Sequence, residues 1–194
     1  MLGVLISVEG VDGAGKTTLV AALAAALGAV VLREPGGTAV SERVRELLAD
    51  PALEIDPRTE ALLYAAARAQ LVAEQLRPLL ADGTTVILDR FVDSSLAYQG
   101  AARGLGVDAI RALNEFGTGG LKPDRTLLLR VDPQVARTRI GNRKADRLER
   151  EDAAFFAAIA DAYDALAAAE PDRIVVIDAA QSPAAVLADS LAAL

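Results

Sequence analysis

The sequence predicts an α/β protein built on a doubly wound, mostly parallel sheet. Five short apolar runs alternate with helical segments, and a glycine-rich turn follows the first run. The runs cover residues 2–8, 29–33, 84–88, 125–131 and 173–178. Strands that alternate with helices favour parallel pairing through helical crossovers. Because no repeat or linker interrupts this pattern, residues 1–194 are predicted to form a single domain.

Local signals support the helices between these strands. The segment 16–28 ends at Gly28, and glycine is typical of a helix C-terminus. The segment 56–83 opens on Asp56, an N-cap residue type, and proline follows at the first helical position. Pro78 is predicted to kink or restart this helix. Further helices are predicted at residues 38–50, 94–103, 107–116, 133–141, 153–169 and after Ser182.

The sequence contains neither cysteine nor histidine. Disulfides, thiolate chemistry, Ser-His-Asp triads and metal sites with Cys or His ligands are therefore excluded. The remaining chemistry must use carboxylates, Lys, Arg, hydroxyl groups, backbone amides and metal ions bound by oxygen. This inventory favours phosphate and magnesium chemistry.

Charge and hydropathy indicate the cellular location and the binding partners to expect for this chain. The net charge is −7, which argues against binding to nucleic acid or to an acidic membrane. The first apolar run ends at Glu9 and lacks the basic start of a signal peptide. The apolar stretch 19–32 is too short for a membrane span. We therefore expect a soluble, cytoplasmic protein.

A phosphate-binding loop follows the first strand. The sequence "GVDGAGKT" fits G-x-x-x-x-G-K-[ST] and lies between a predicted strand and a predicted helix. Backbone amides of such a loop converge on phosphate oxygens, while the lysine reaches the β and γ phosphates and the hydroxyl suits Mg²⁺. The predicted ATP-binding residues are Gly10, Val11, Asp12, Gly13, Ala14, Gly15, Lys16, Thr17 and Thr18.

Several segments in addition to this loop resemble thymidylate kinases. They are "REPGGT" (33–38), "DPRTEALLYAAARAQ" (56–70), "DRFVDSSLAYQG" (89–100), "ARGLGVDAIRALNEF" (102–116), "LKPDRTLLLRVDP" (121–133) and "ADRLERED" (145–152). The resemblance implies transfer of the γ-phosphate of ATP to dTMP, with Mg²⁺ as cofactor. It also implies a P-loop NTPase fold of the nucleoside monophosphate kinase type. That fold has three layers, a five-stranded parallel sheet and a small lid at about 141–151. The resemblance further implies that the protein usually forms a homodimer.

Arginines are expected to hold the acceptor phosphate. Arg33, Arg45 and Arg90 lie at or after the carboxyl ends of predicted strands, which form the ligand edge of a doubly wound sheet. The resemblance assigns the acceptor phosphate to Arg45 and Arg90, although spacing alone would equally allow Arg45 to be a solvated helix residue. Asp89 resembles the family's metal-organising acid, with a helix cap as the alternative reading. Thr17 and Asp89 are thus the predicted metal residues.

The resemblance also implies a set of residues around the base and sugar. Tyr64 and Arg68 lie one helical turn apart and would stack on and hydrogen bond to thymine, although Tyr64 alone would more often be a core residue. Tyr98 would exclude a ribose. The complete predicted dTMP set is Glu34, Pro35, Arg45, Tyr64, Arg68, Arg90, Ser95, Tyr98 and Gln99.

The charged segment 142–152 is interpreted as the lid, although most such runs are simply solvated loops. Gly13 stands where some thymidylate kinases carry an arginine, so the transition-state cation is expected from the lid. The resemblance favours Arg147 and then Arg143, and it places Arg139 on the adenine. The predicted catalytic residues are Lys16, Asp12, Arg90, Arg147 and Arg143. Asp12 and Glu34 are left open between metal, sugar and arginine partners.

Two other functions share parts of this pattern. A deoxynucleoside kinase also combines a phosphate loop with an Asp-Arg segment, but it needs a carboxylate base to deprotonate a hydroxyl. A regulatory P-loop ATPase would release phosphate without any nucleotide acceptor. The base-stacking residues and acceptor arginines have no role in that second alternative.

Overall fold

The computed structural model describes residues 2–140 and 147–194. The five predicted strands are all present. Their bounds are β1 Leu5–Glu9, β2 Val30–Arg33, β3 Val86–Asp89, β4 Arg125–Arg130 and β5 Ile174–Asp178. They form one parallel sheet in the order β2-β3-β1-β4-β5. The predicted parallel α/β sheet is confirmed.

The helices follow the predicted alternation with the strands. Their bounds are α1 Lys16–Leu27, α2 Ala39–Ala49, α3 Pro57–Leu71, α4 Arg77–Ala81, α5 Val92–Ser95, α6 Val107–Thr118, α7 Pro133–Ile140, α8 Ala153–Ala169 and α9 Pro183–Ala192. Gly28 ends α1 in the left-handed conformation, and the Asp56 carboxylate caps α3 as expected. None of the helices among the described residues combines the length and apolarity needed to cross a membrane.

Two helical segments are wider than an α-helix. A π-helical stretch, Val72–Leu76, joins α3 to α4, and a second one, Leu96–Ala102, continues α5. The first lies just before Pro78, where the helix restarts because proline cannot donate the next backbone hydrogen bond. The second carries Tyr98 and Gln99, two of the predicted site residues. Wide turns of this kind are frequent at functional sites.

The sheet is packed on both faces, which gives the three layers of the fold. On one face α1 and α9 cover the sheet through Leu19, Leu23 and Val186. On the other face, the helical segment 92–102 and α8 pack through Leu96 and Ile159. A third apolar cluster joins the segment 57–81 to β1 and β3. The central strands β1, β3 and β4 are thereby buried, whereas β2 and part of β5 at the edges of the sheet are exposed. The carboxyl edge of the sheet remains for the polar residues described next.

Candidate active site

The phosphate loop connects β1 to α1 at the centre of the sheet. Gly10 has a φ of 138°, and a Cβ at this position would approach the Leu129 carbonyl oxygen to 2.6 Å. Only glycine therefore fits between the loop and β4. The loop ends where α1 begins at Lys16, so the free amides and positive dipole of the helix point into it. Thr18 lies exposed in the first turn of that helix.

Lys16 lies across the loop that carries it. Its ammonium group donates to the carbonyl oxygens of Gly10 at 3.0 Å and Val11 at 2.9 Å, and lies 3.6 Å from the Asp12 carboxylate. Burial, aided by the nearby charge of Arg90, lowers the Lys16 pKa to about 8. A phosphate oxygen is a stronger, charged acceptor than these carbonyls. The ammonium is therefore ready to exchange its loop contacts for a nucleotide phosphate.

Thr17 and Asp89 meet at the mouth of the loop. The Thr17 hydroxyl donates to the Asp89 carboxylate at 3.3 Å, across the boundary between α1 and β3. Hydroxyl and carboxylate oxygens are the ligand types that Mg²⁺ prefers. Within residues 2–140 and 147–194 no group of three or more acidic side chains could hold a metal ion. Any magnesium at this pair would therefore complete its shell with phosphate oxygens and water.

Arg90 links the loop to the segment that follows β3. Its guanidinium donates to the Gly10 carbonyl at 3.1 Å, the Asp12 carboxylate at 2.6 Å, the Ser94 hydroxyl at 3.0 Å and the Tyr98 hydroxyl at 3.3 Å. The same group lies over the Tyr98 ring at 5.1 Å. Asp12, an acid inside an anion-binding loop, thus has an arginine partner.

The backbone at Arg90 is strained. Its φ of 74° is the one positive value among the described non-glycine residues. Such a conformation costs on the order of 1 kcal/mol or more and persists where surrounding contacts over-determine it. The amide of Arg90 donates to the Val8 carbonyl, which fixes this turn directly against β1.

A buried carboxylate behind Arg90 was not predicted from the sequence. Glu9, at the end of β1, accepts hydrogen bonds from the Phe91 amide at 2.7 Å, the Ser94 hydroxyl at 2.6 Å and the Tyr163 hydroxyl at 3.0 Å. Burial, and then the charge of Asp93, raises the Glu9 pKa. These contacts hold Ser94, which accepts from Arg90. The available signal was an acidic residue ending a buried strand just before a phosphate loop.

Arg68 forms a second buried arginine centre. Its Nε donates to Glu34 at 2.6 Å, Nη1 donates to Ser95 at 2.9 Å and also to Asn114, and Nη2 donates to the Phe91 carbonyl at 3.0 Å. Arg68 as a whole is 2% exposed, and its guanidinium carbon lies 5.5 Å from the Phe91 ring centroid. The structure thus brings three predicted residues together and adds Asn114, which lay in a segment with no assigned site role.

Glu34 keeps one oxygen without a partner. Its Oε2 accepts from Arg68, whereas the buried Oε1 has no hydrogen-bond partner among the described residues. Burial raises the Glu34 pKa to about 7, although the adjacent Arg68 opposes this change. An unpaired buried acceptor is costly. This oxygen is therefore suited to accept a hydrogen bond from a ligand.

Three further residues considered for the acceptor site lie on β2, α2 and α3. Arg45 is exposed on α2 and donates to the Pro35 carbonyl at 3.0 Å, while Arg33 pairs with Glu42 at 2.9 Å. Tyr64 is half-buried on α3, one turn before Arg68.

Comparison with known proteins decides the family. The thymidylate kinase profile matches residues 8–189. The chain belongs to the thymidylate kinase family. It is 48% identical to the thymidylate kinase of Thermoanaerobacter sp. (strain X514) over 186 residues, which cover 93% of this chain and 92% of that protein. It is 50% identical to that of Deinococcus radiodurans over 183 residues, covering 91% and 89%.

Solved structures agree with this assignment. The crystal structure of thymidylate kinase from Ehrlichia chaffeensis superposes with a TM-score of 0.81 at 30% identity, covering 99% of this chain and 98% of that one. The chain is therefore a kinase with the P-loop fold of nucleoside monophosphate kinases, and both predictions are confirmed.

The structure describes the three arginines predicted in or near the lid to different extents. Arg147 donates to the Glu60 carboxylate at 2.5 Å and to the Leu48 carbonyl at 3.2 Å, so it lies on the side of α2 and α3. Arg143 and the rest of 141–146 lie outside the described residues. Arg139 is exposed on α7. Their roles and the lid boundaries stay predictions.

Titration of Glu34 should be visible in protein stability. Since its pKa is raised to about 7 in the folded protein and is near 4.5 when unfolded, ionisation favours unfolding as pH rises through this interval. We expect the free energy of unfolding of wild type to fall by about 2–3 kcal/mol between pH 5 and 8, relative to Glu34→Gln.

Urea unfolding at several pH values measures this difference. Glu42→Gln is the matched control, because the exposed Glu42 carboxylate has a lowered pKa and does not titrate in that interval. A difference between wild type and Glu34→Gln that stays constant from pH 5 to 8 would refute the raised pKa.

Proposed function

We propose how this chain carries out the reaction of its family, the ATP-dependent phosphorylation of dTMP to dTDP. The observation that carries the proposal is the position of Arg90. It contacts the phosphate loop through Gly10 and Asp12 and the acceptor segment through Ser94 and Tyr98. An arginine that contacts both the phosphate loop and the acceptor segment suits a reaction that must bring two polyanions together.

The donor nucleotide would bind at the loop. Backbone amides from Gly10 to Thr18 and the Lys16 ammonium would hold the phosphates of ATP, and Arg139 would stack on its adenine. Thr17 and Asp89 would hold Mg²⁺, and the 3.3 Å contact between them supports this assignment. When bound, the metal ion supplies positive charge to the phosphates. Asp12 would act on Arg90, since that ion pair measures 2.6 Å.

The acceptor would bind across the segment 89–100. Its phosphate would contact Arg90 and Arg45, and the partnerless oxygen of Glu34 would accept a hydrogen bond from the sugar hydroxyl. Tyr98 would fill the space of a 2′ hydroxyl. Recognition of thymine is assigned to Pro35, Tyr64, Arg68, Ser95 and Gln99.

Phosphoryl transfer between these sites needs little proton chemistry. The acceptor phosphate already carries negative charge near neutral pH, so a chain without histidine loses nothing. Catalysis rests on positioning and on cations near the transferred group. We assign these cations to Lys16 and Arg90, joined by Arg147 with Arg143 as the second candidate. Arg147 must leave Glu60 to take this role.

Substrate assays test the reaction itself. With ATP and Mg²⁺ we expect rapid turnover of dTMP, slower turnover of dUMP, and none of thymidine, because a nucleoside lacks the phosphate that Arg90 and Arg45 bind. A coupled ADP assay with dTMP, dUMP, UMP, dGMP and thymidine measures this. Turnover of thymidine without dTMP would indicate a deoxynucleoside kinase. ATP hydrolysis unaffected by any nucleotide would indicate a P-loop ATPase.

Kinetics should distinguish the roles of Arg147 and Arg90. Arg147→Ala is expected to lower kcat by about 100-fold or more with little change in KM for dTMP, as for a group that acts in the transition state. Arg90→Ala should strongly weaken use of dTMP, including its KM. Steady-state kinetics with varied dTMP separates the cases. A raised KM with normal kcat in Arg147→Ala would contradict its role, and normal dTMP affinity in Arg90→Ala would contradict that of Arg90.

We also propose a cytoplasmic homodimer that binds neither nucleic acid nor membranes. The net charge of −7 supports the last two points. Phe116 on α6 is 89% exposed and Leu62 on α3 is 57% exposed, on two helices that pack together. Large exposed apolar side chains are typical of interfaces. A second copy would cover this α3/α6 face.

Light scattering after size exclusion tests the dimer. We expect about twice the mass of the 20.1 kDa chain for wild type and monomers for Phe116→Asp. Leu194→Asp is the control, because Leu194 is also exposed, at 42%, but lies at the end of the chain rather than on α3 or α6. A dimeric Phe116→Asp protein would place the interface elsewhere.

A further inference from the structure

Glu60, in the first turn of α3, is a buried carboxylate without an assigned role. It has no exposed surface, yet it accepts hydrogen bonds from Gln99, Arg103 and Arg147. Two of these partners are predicted site residues. The third, Arg103, is anchored independently, because it pairs with Glu151 at 2.7 Å and lies 4.8 Å from the Phe155 ring centroid.

The two oxygens of Glu60 face different partners. Oε2 accepts from Nη2 of Arg103 at 3.2 Å and from Nη2 of Arg147 at 2.5 Å. Oε1 accepts from Nε2 of Gln99 at 2.8 Å, with a longer contact of 3.4 Å from Nε of Arg103. Both arginines therefore make their shorter contacts with Oε2, whereas Oε1 binds the glutamine amide and receives only the longer contact from Arg103.

This division fixes which way the Gln99 amide points. The oxygen and nitrogen of an amide have nearly the same shape, so only the partners decide its orientation. Every contact to Glu60 is donated by its partner, and the guanidinium groups of Arg103 and Arg147 can only donate, so both oxygens of Glu60 act as acceptors. Gln99 must therefore direct Nε2 to Glu60 and its oxygen Oε1 away from it.

We propose that Glu60 is a positioning residue that sets base specificity by orienting the Gln99 amide. This inference rests on the proposed function, in which Gln99 faces the pyrimidine edge. Thymine carries a hydrogen on N3 and can donate it to Oε1. Cytosine has an N3 lone pair at the same place, so two acceptors would face each other. A fixed Oε1 thus favours thymine.

Glu60→Gln should turn the Gln99 amide round. The new amide oxygen must stay with Arg103 and Arg147, because guanidinium groups only donate, so the new NH₂ group occupies the place of Oε1. Gln99 then has to accept from that NH₂ group and present its own NH₂ to the base. Arg103 keeps the amide oxygen at position 60 in this orientation even when Arg147 moves away from it.

The test compares dTMP with 5-methyl-dCMP, which share the methyl group and sugar and differ at the pyrimidine edge. We expect Glu60→Gln to lower the ratio of kcat/KM for dTMP to that for 5-methyl-dCMP about tenfold or more, as for one hydrogen bond gained and one lost. Because both substrates are measured on one preparation, any inactive protein cancels in the ratio.

Three further variants separate orientation from a structural role. Glu60→Asp keeps the carboxylate and should keep the preference for dTMP. Glu151→Gln removes the other carboxylate bonded to Arg103 and should leave the ratio unchanged. The double variant Glu60→Gln with Gln99→Glu should restore an acceptor towards the base. One oxygen of the carboxylate at position 99 accepts from the amide at position 60, and the other oxygen faces the base. The preference for dTMP over 5-methyl-dCMP should therefore return. This double variant and Glu60→Asp keep the proposal testable if the single variant does not fold.

The outcomes are distinct. An equal loss for both substrates in Glu60→Gln, or no recovery in the double variant, would overturn the role of Glu60 while wild type still uses dTMP. A wild-type enzyme that does not use dTMP would instead overturn the proposed function.

Discussion

The contact between Arg90 and the phosphate loop is the constraint on which the rest of the site depends. One guanidinium group reaches the Gly10 carbonyl and the Asp12 carboxylate while lying against Tyr98. To do so, the backbone at Arg90 adopts a left-handed conformation that side chains normally avoid. The surrounding contacts hold it there, and the phosphate loop and the segment 89–100 are thereby fixed relative to each other.

Buried carboxylates support the arginines in this arrangement. Glu9 holds the turn behind Arg90 through Phe91 and Ser94, and Glu34 holds Arg68. Buried ion pairs contribute little net stability, because desolvation of both charges offsets their attraction. Their effect here is geometric: each long, flexible arginine is confined to one direction. Preorganised charge of this kind is what phosphoryl transfer requires.

The fold was predictable because its signals are local. These signals are the five apolar runs, the complete phosphate-loop pattern and the glycine at the end of α1. Each of them spans only a few neighbouring residues. The carboxylate network was not predictable from patterns, since Glu9 and Tyr163 lie 154 positions apart and meet only in the fold. Glu60 and Arg147 are 87 positions apart. Such pairs leave no trace in spacing or periodicity. The resemblance assigned site roles to Arg90, Arg68 and Gln99, and those roles stay predictions.

Strand order explains why the site assembles from segments so distant in sequence. Since β1 lies between β3 and β4, Val8 pairs with both Asp89 and Leu127. The residues after β3 therefore emerge beside the phosphate loop, which brings Asp89 to Thr17. The proposed use of charge follows from the same geometry. Lys16 and Arg90 lie next to the loop, where phosphates would meet, and both contact Asp12. Glu34 pairs with Arg68, and Glu60 pairs with Arg103 and Arg147, so these guanidinium groups are already neutralised where uncharged sugar and base are proposed to bind through directed hydrogen bonds.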